Sequence, residues 1–141
     1  MVAEREEAVE EALDAYGRNL GIAFQLVDDA IDYSSDSATM GKGVGDDFRD
    51  GKVTLPVILA FARGAAEDKA FWRDAMMGHK VGDADLARAT ALLRETGALD
   101  DTFAHARHYA QRAIDALGGF GPSAAKAALT EAAAFAVSRA Y

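Results

Sequence analysis

Apolar residues step along the first part of the chain at intervals of three and four: Val9, Leu13, Tyr16, Leu20, Phe24, Val27 and Ile31. One stripe at helical period predicts a long helix reaching about Tyr33, with Leu20, Phe24, Val27 and Ile31 buried. Ser34 to Gly45 is rich in Ser, Asp, Thr and Gly and reads as a loop. A second helix follows Lys52. Thr54 precedes Leu55-Pro56, and proline is tolerated in a first helical turn. The run Val57-Ile58-Leu59-Ala60-Phe61 predicts burial on most sides, and Gly64 is its stop. A short helix is expected over Lys69 to Met77. Another is expected over Asp83 to Thr96, with Asp83 as N-cap and Gly97 just past the end. Asp101 or Thr102 opens the next helix, which stops at Gly118-Gly119, and Pro122 or Ser123 opens the last. No stretch alternates with period two. The pattern predicts an all-α helical bundle, without internal repeats or low-complexity linkers.

Composition narrows the function classes. The 141 residues amount to one domain or part of a larger one. Half are apolar and 27% are charged, as in an ordinary globular protein, and only two are proline. A formal net charge of −8 argues against nucleic acid and against anionic lipid, both of which are held by Lys and Arg. The absence of cysteine excludes disulfides and thiolate chemistry and fits a cytoplasmic protein. No membrane span is expected, since the uncharged run Val53 to Ala62 is about half of the ~20 residues a span needs. The acidic, amphipathic start differs from a signal peptide, which is basic and then apolar.

The chemistry is concentrated in Gly21-Ile22-Ala23-Phe24-Gln25-Leu26-Val27-Asp28-Asp29-Ala30-Ile31-Asp32. On a helix, Asp28 and Asp32 lie one turn apart on the same side, expected to be exposed, with Asp29 on the flank. Gln25 and Gly21 fall on that side one and two turns earlier. Like charges gathered beside an apolar stripe call for a cation. Oxygen ligands without histidine suit Mg²⁺, which keeps waters and takes one or two carboxylates plus substrate phosphates; they suit zinc poorly. A bare DDxxD triplet more often marks a solvated helix face. The chain carries a second one, Asp46-Asp47-Phe48-Arg49-Asp50, in a glycine-flanked segment without the preceding stripe. That copy reads as loop and helix-start chemistry.

Context separates the two. The run Gly-x-x-Phe-Gln-x-x-Asp-Asp-x-x-Asp resembles the second aspartate-rich motif of trans-isoprenyl diphosphate synthases. The continuation is similar to the same family: Gly41-Lys42, Gly45-Asp46-Asp47, and Asp50-Gly51-Lys52-Val53-Thr54-Leu55-Pro56. Phe71-Trp72, Leu92 to Leu99 and the final Val137-Ser138-Arg139 resemble octaprenyl- and decaprenyl-type members at lower specificity. The resemblance covers the whole chain, as the C-terminal part (residues 1–141) of a polyprenyl synthetase domain with the isoprenoid synthase fold.

The resemblance implies the following roles. Mg²⁺ ions bridge two aspartate-rich motifs and an allylic prenyl diphosphate. Diphosphate departs, and isopentenyl diphosphate attacks the allylic cation; a long all-trans polyprenyl diphosphate of isoprenoid or quinone side-chain biosynthesis results. Asp28 matches the direct metal ligand, Asp29 and Asp32 match positions that ligate metal or hold its water, and Asp47 matches a carboxylate supporting that shell. Lys42 and Lys52 match lysines on the diphosphate. Gln25 is a polar substrate contact; Phe24 is core packing with a prenyl-site contact open. His79, His105 and His108 are surface or interhelical residues. Members are typically homodimers, and uncovered apolar faces point to self-association too.

The family's first aspartate-rich motif has no match here, nor do the upstream basic residues that bind isopentenyl diphosphate. The chain alone is therefore expected to be inactive, as a piece of a transferase. Two alternatives remain open at this point: a half-site or regulatory subunit of a heteromeric prenyltransferase, and a terpene cyclase on the same fold. The Phe-Gln before the aspartates is atypical of the cyclases.

Overall fold

A computed structural model describes residues 2–34, 45–78 and 81–138. Its helices are α1 (Val2–Ile31), α2 (Asp46–Arg49), α3 (Leu55–Arg63), α4 (Ala66–Met76), α5 (Asp83–Glu95), α6 (Ala98–Ala116) and α7 (Ala124–Ser138), with a 3₁₀ turn at Leu117–Gly119. No strand occurs among the described residues. The chain is all-α, as its periodicity predicts.

Two compact units are formed, one by residues 1–27 and 104–141 and the other by residues 28–103. In the first, Tyr16, Ala113, Leu117 and Ala133 form a small core, with Leu20, Ile114, Phe120 and Leu129 packed on it. The Tyr16 hydroxyl donates to the Leu129 carbonyl at 2.7 Å, so the ring is buried without stranding its polar end. Ser123 caps α7, its Oγ accepting from the Lys126 amide at 3.0 Å, in agreement with the expected start.

The second unit has the larger core, with Tyr33, Phe48, Val57, Trp72 and Leu93 at its centre. Thr54 and Pro56 open α3 as expected, and Gly64 closes it. Burial on most sides does not hold for α3: Val57 and Ala60 are buried, whereas Ile58 is 51% exposed. Ile58 belongs to an apolar groove of about 470 Å³ lined also by Phe61, Trp72 and Met76. Helix α5 begins one residue earlier in register than expected, with Gly82 as N-cap; the Asp85 carboxylate accepts from the Gly82 amide at 2.9 Å. Gly97 follows the end of α5 at φ 71°, the left-handed conformation glycine adopts without a Cβ clash. Helix α6 starts at Ala98 rather than at Asp101 or Thr102, so Asp100 and Asp101 lie in its first turn, where carboxylates favour the free amides.

The stripe on α1 also shifts. Val27 and Ile31 are buried and Leu20 is half-buried, but Phe24 is 50% exposed, and Val9 and Leu13 are exposed too. Ala23 and Ala30 are fully buried instead. The seam follows small residues that permit close packing; a reading weighted toward large apolar side chains places it one residue off.

Candidate functional site

The site lies in the second unit, where residues 45–52 fold back on the end of α1. Asp32 stands one residue beyond α1, yet its amide donates to the Asp28 carbonyl at 3.2 Å, so the helical turn continues through all three aspartates. Asp28 is half-buried, while Asp29 and Asp32 are only 6% and 2% exposed. This corrects the expected exposed Asp28–Asp32 face. The physical reason is the returning segment, which covers Asp32 and supplies it with donors.

Glycines shape that return. Gly45, at φ 78°, donates from its amide to the Asp32 carbonyl at 2.8 Å, and the Asp47 amide donates to Asp32 Oδ2 at 3.0 Å. A buried carboxylate is thereby hydrogen-bonded rather than stranded. At the other end of α2, Gly51 adopts φ 68°. Its amide donates to the Phe48 carbonyl at 3.1 Å, and the Lys52 amide to the Asp47 carbonyl at 2.8 Å. These two bonds are a Schellman close, which glycine permits. It turns Lys52 back over the start of α2. Lys52 Nζ then lies 3.8 Å from Asp47 Oδ1 and 4.0 Å from Asp29 Oδ1.

Phe48 anchors this arrangement. It is fully buried, with its ring centroid 6.3 Å from that of Phe71 in a stacked pair and 6.2 Å from Trp72 edge-on. The four-residue α2 is held by this one side chain more than by its own hydrogen bonds. Beneath the carboxylates, Tyr33 is 1% exposed, and its hydroxyl has no hydrogen-bond partner among the described residues. Burial above all, then the charges of Asp32, Asp47 and Asp29, push this phenol well above the usual tyrosine range.

Asp29, Asp32, Asp47 and Lys52 are thus brought together from two separated segments. Gln25 and Phe24 are exposed on α1 in residues belonging to the other unit. Lys42 and His79 lie outside the described residues. His105 and His108 are exposed on α6. Asp46 and Asp50 are exposed, as expected of the second DDxxD copy. Tyr33 and Phe48 are the residues sequence reasoning passed over. An aromatic directly after the last aspartate, and another inside the second triplet, were the available signals.

The donors fit a hard divalent ion. All are carboxylate oxygens, and among the described residues no three His, Cys, Asp or Glu side chains converge into a cage. Mg²⁺ does not require one, because waters and phosphate oxygens complete its octahedron. Asp28, half-buried, and Asp29 and Asp47, beside the lysine, are the carboxylates open to such an ion, while Asp32 accepts from the Asp47 amide.

Comparison with known proteins sets this site in context. The polyprenyl synthetase family profile matches residues 1–93. The chain is 42% identical to the octaprenyl diphosphate synthase of Haemophilus influenzae over 142 aligned positions, covering all of this chain and 43% of the relative. A polyprenyl synthase from Caulobacter crescentus, solved with calcium and isoprenyl diphosphate, superposes with a TM-score of 0.88 at 48% identity, over 95% of this chain and 41% of that one. A decaprenyl diphosphate synthase from Rhodobacter capsulatus gives 0.86 at 39% identity, over 96% and 42%. The chain therefore spans about two-fifths of the length of these relatives.

Proposed function

The chain belongs to the polyprenyl synthetase family, and from that premise we propose that it supplies the diphosphate-holding half of a long-chain prenyltransferase. The reaction joins isopentenyl diphosphate to an allylic prenyl diphosphate and extends an all-trans polyprenyl chain for isoprenoid or quinone side-chain biosynthesis. The observation that carries this reading is the joining of Asp29 and Asp32 to Asp47 and Lys52, a carboxylate set with an ammonium at its edge.

Mg²⁺ held by Asp28, Asp29 and Asp47 would neutralise charge on the departing diphosphate. The chain's own residues position and stabilise. Asp28, Asp29 and Asp47 offer carboxylate oxygens, and the Asp47 amide keeps Asp32 turned inward. Lys52 and Lys42 place ammonium groups for the diphosphate oxygens, where negative charge builds as the allylic carbon–oxygen bond breaks. Gln25 orients the substrate's polar end and Phe24 contacts its prenyl chain. The carbon–carbon bond forms from the isopentenyl double bond, and a proton leaves the adjacent carbon.

We also infer a cytoplasmic homodimer. Among the described residues no helix is long and apolar enough to cross a membrane, and the acidic, cysteine-free composition supports that compartment. Exposed Ile22, Ile58 and Phe135 support self-association. The test of the function is Mg²⁺-dependent binding of farnesyl diphosphate by calorimetry. Binding lost on chelation and in Asp28→Ala is expected; binding indifferent to both would overturn the reading.

A further inference from the structure

Asp29 is almost fully buried at the end of α1, and a charge in that place needs compensation. Part of it comes from Lys52, whose Nζ stands between Asp29 and Asp47 at 4.0 and 3.8 Å. Both separations exceed the ~2.7–3.2 Å of a direct N–H···O bond, so the pairing is Coulombic and loosely held. The Lys52 side chain is 52% exposed, while its backbone is fixed by the bond from its amide to Asp47. A fixed root and an exposed head give the ammonium two destinations: the carboxylates, or an anion at the mouth of the site.

Resting on the function proposed above, we propose that Lys52 is a resident counter-ion that occupies the carboxylate site before metal does, and is released to the diphosphate when metal arrives. The ammonium and the divalent ion compete for Asp29 and Asp47, because two cations on the same oxygens repel. Displacement turns Lys52 from a partner of the carboxylates into a free donor at the rim. Metal binding and anion binding are then positively coupled through one side chain, and the coupling is reciprocal. It also orders events: an anion arriving first meets an ammonium still engaged with two carboxylates.

The coupling predicts opposite effects on the two ligands, which loss of a plain diphosphate contact does not. With Mn²⁺ alone as probe, read by electron paramagnetic resonance, Lys52→Gln is expected to bind metal about two- to fivefold more tightly than the parent, the factor corresponding to a partly exposed ion pair. Inorganic diphosphate should bind the Mn²⁺-loaded variant more weakly, and should enhance Mn²⁺ affinity less than in the parent. Lys52→Arg, which keeps the charge, should return Mn²⁺ affinity toward the parent value. Circular dichroism establishes that each variant is folded. Mn²⁺ affinity equal or lower in folded Lys52→Gln overturns the proposal; if Asp28→Asn still abolishes binding in that experiment, the function stands and only the counter-ion role falls. A parent chain that binds no Mn²⁺ even with diphosphate would sink both.

Discussion

Asp28-Asp29-Ala30-Ile31-Asp32 and Asp46-Asp47-Phe48-Arg49-Asp50 share one pattern and have different physical fates. The first ends a 30-residue helix, and two of its three carboxylates are buried. The second is a single turn whose first and last carboxylates face solvent, with Arg49 3.6 Å from Asp46 and 3.8 Å from Asp83. The difference teaches that the spacing of acidic residues does not make a site. What matters is whether the backbone buries the charges together and supplies donors. Here the second triplet does so for the first: its middle aspartate gives an amide to Asp32, and its phenylalanine anchors the turn.

The sharpest way to break this relation is to remove the anchor. Phe48→Ala is expected to cost about 3–5 kcal/mol of stability, as truncation of a buried phenylalanine does, and to weaken Mn²⁺ binding with it. Thermal unfolding measured beside metal titration checks both; unchanged metal affinity in a destabilised protein would mean the two triplets are independent.

The next effect separates the copies directly. In the catalytically competent protein, Asp28→Ala should lower kcat by roughly 10²–10³, because charge stabilisation developed in the transition state is lost. Asp46→Ala should leave kcat within about twofold, the scale of an exposed ion pair. Incorporation of labelled isopentenyl diphosphate into farnesyl diphosphate measures both, and equal losses would erase the distinction.

A smaller effect reads the charge between the triplets. Tyr33 titrates above its ordinary value of 10.0 because burial and three aspartates oppose the phenolate. A raised folded pKa contributes stability that is full below pH ~10 and is lost as pH rises through the folded value. Tyr33→Phe should flatten the alkaline side of the stability profile. By removing a buried hydroxyl without a partner, it should also raise stability near neutrality by about 1 kcal/mol. Denaturant melts from pH 7 to 11 decide this, and an unaltered alkaline slope would mean that neither burial nor the carboxylates raise this phenol. The smallest effect belongs to the second copy's own surface pair: Arg49→Ala should change stability by about 0.2–1 kcal/mol, screened further by salt, in the same melts.

Much of this was legible in the residues. Helix punctuation by Thr54-Pro56, Gly64, Gly97 and Ser123 follows from local backbone chemistry, and it stands in the structure at those positions. The helical stripe and the flanking residues set the Asp28 triplet apart from the Asp46 copy in the sequence. What failed was side-chain fate. Phe24 is exposed where burial was expected, and Asp32 is buried where exposure was expected.

The sequence by itself determined the helices, their caps and the glycines that end them, because these depend on residues within one turn of each other. It also determined which acidic side chains are available to gather there. Tertiary structure alone decided that Asp47 and Lys52, 15 and more positions away, would turn back onto Asp29 and Asp32. Burying a carboxylate costs more than any local preference supplies, so it is settled by which distant amide and ammonium reach it. Periodicity along one helix carries no record of that.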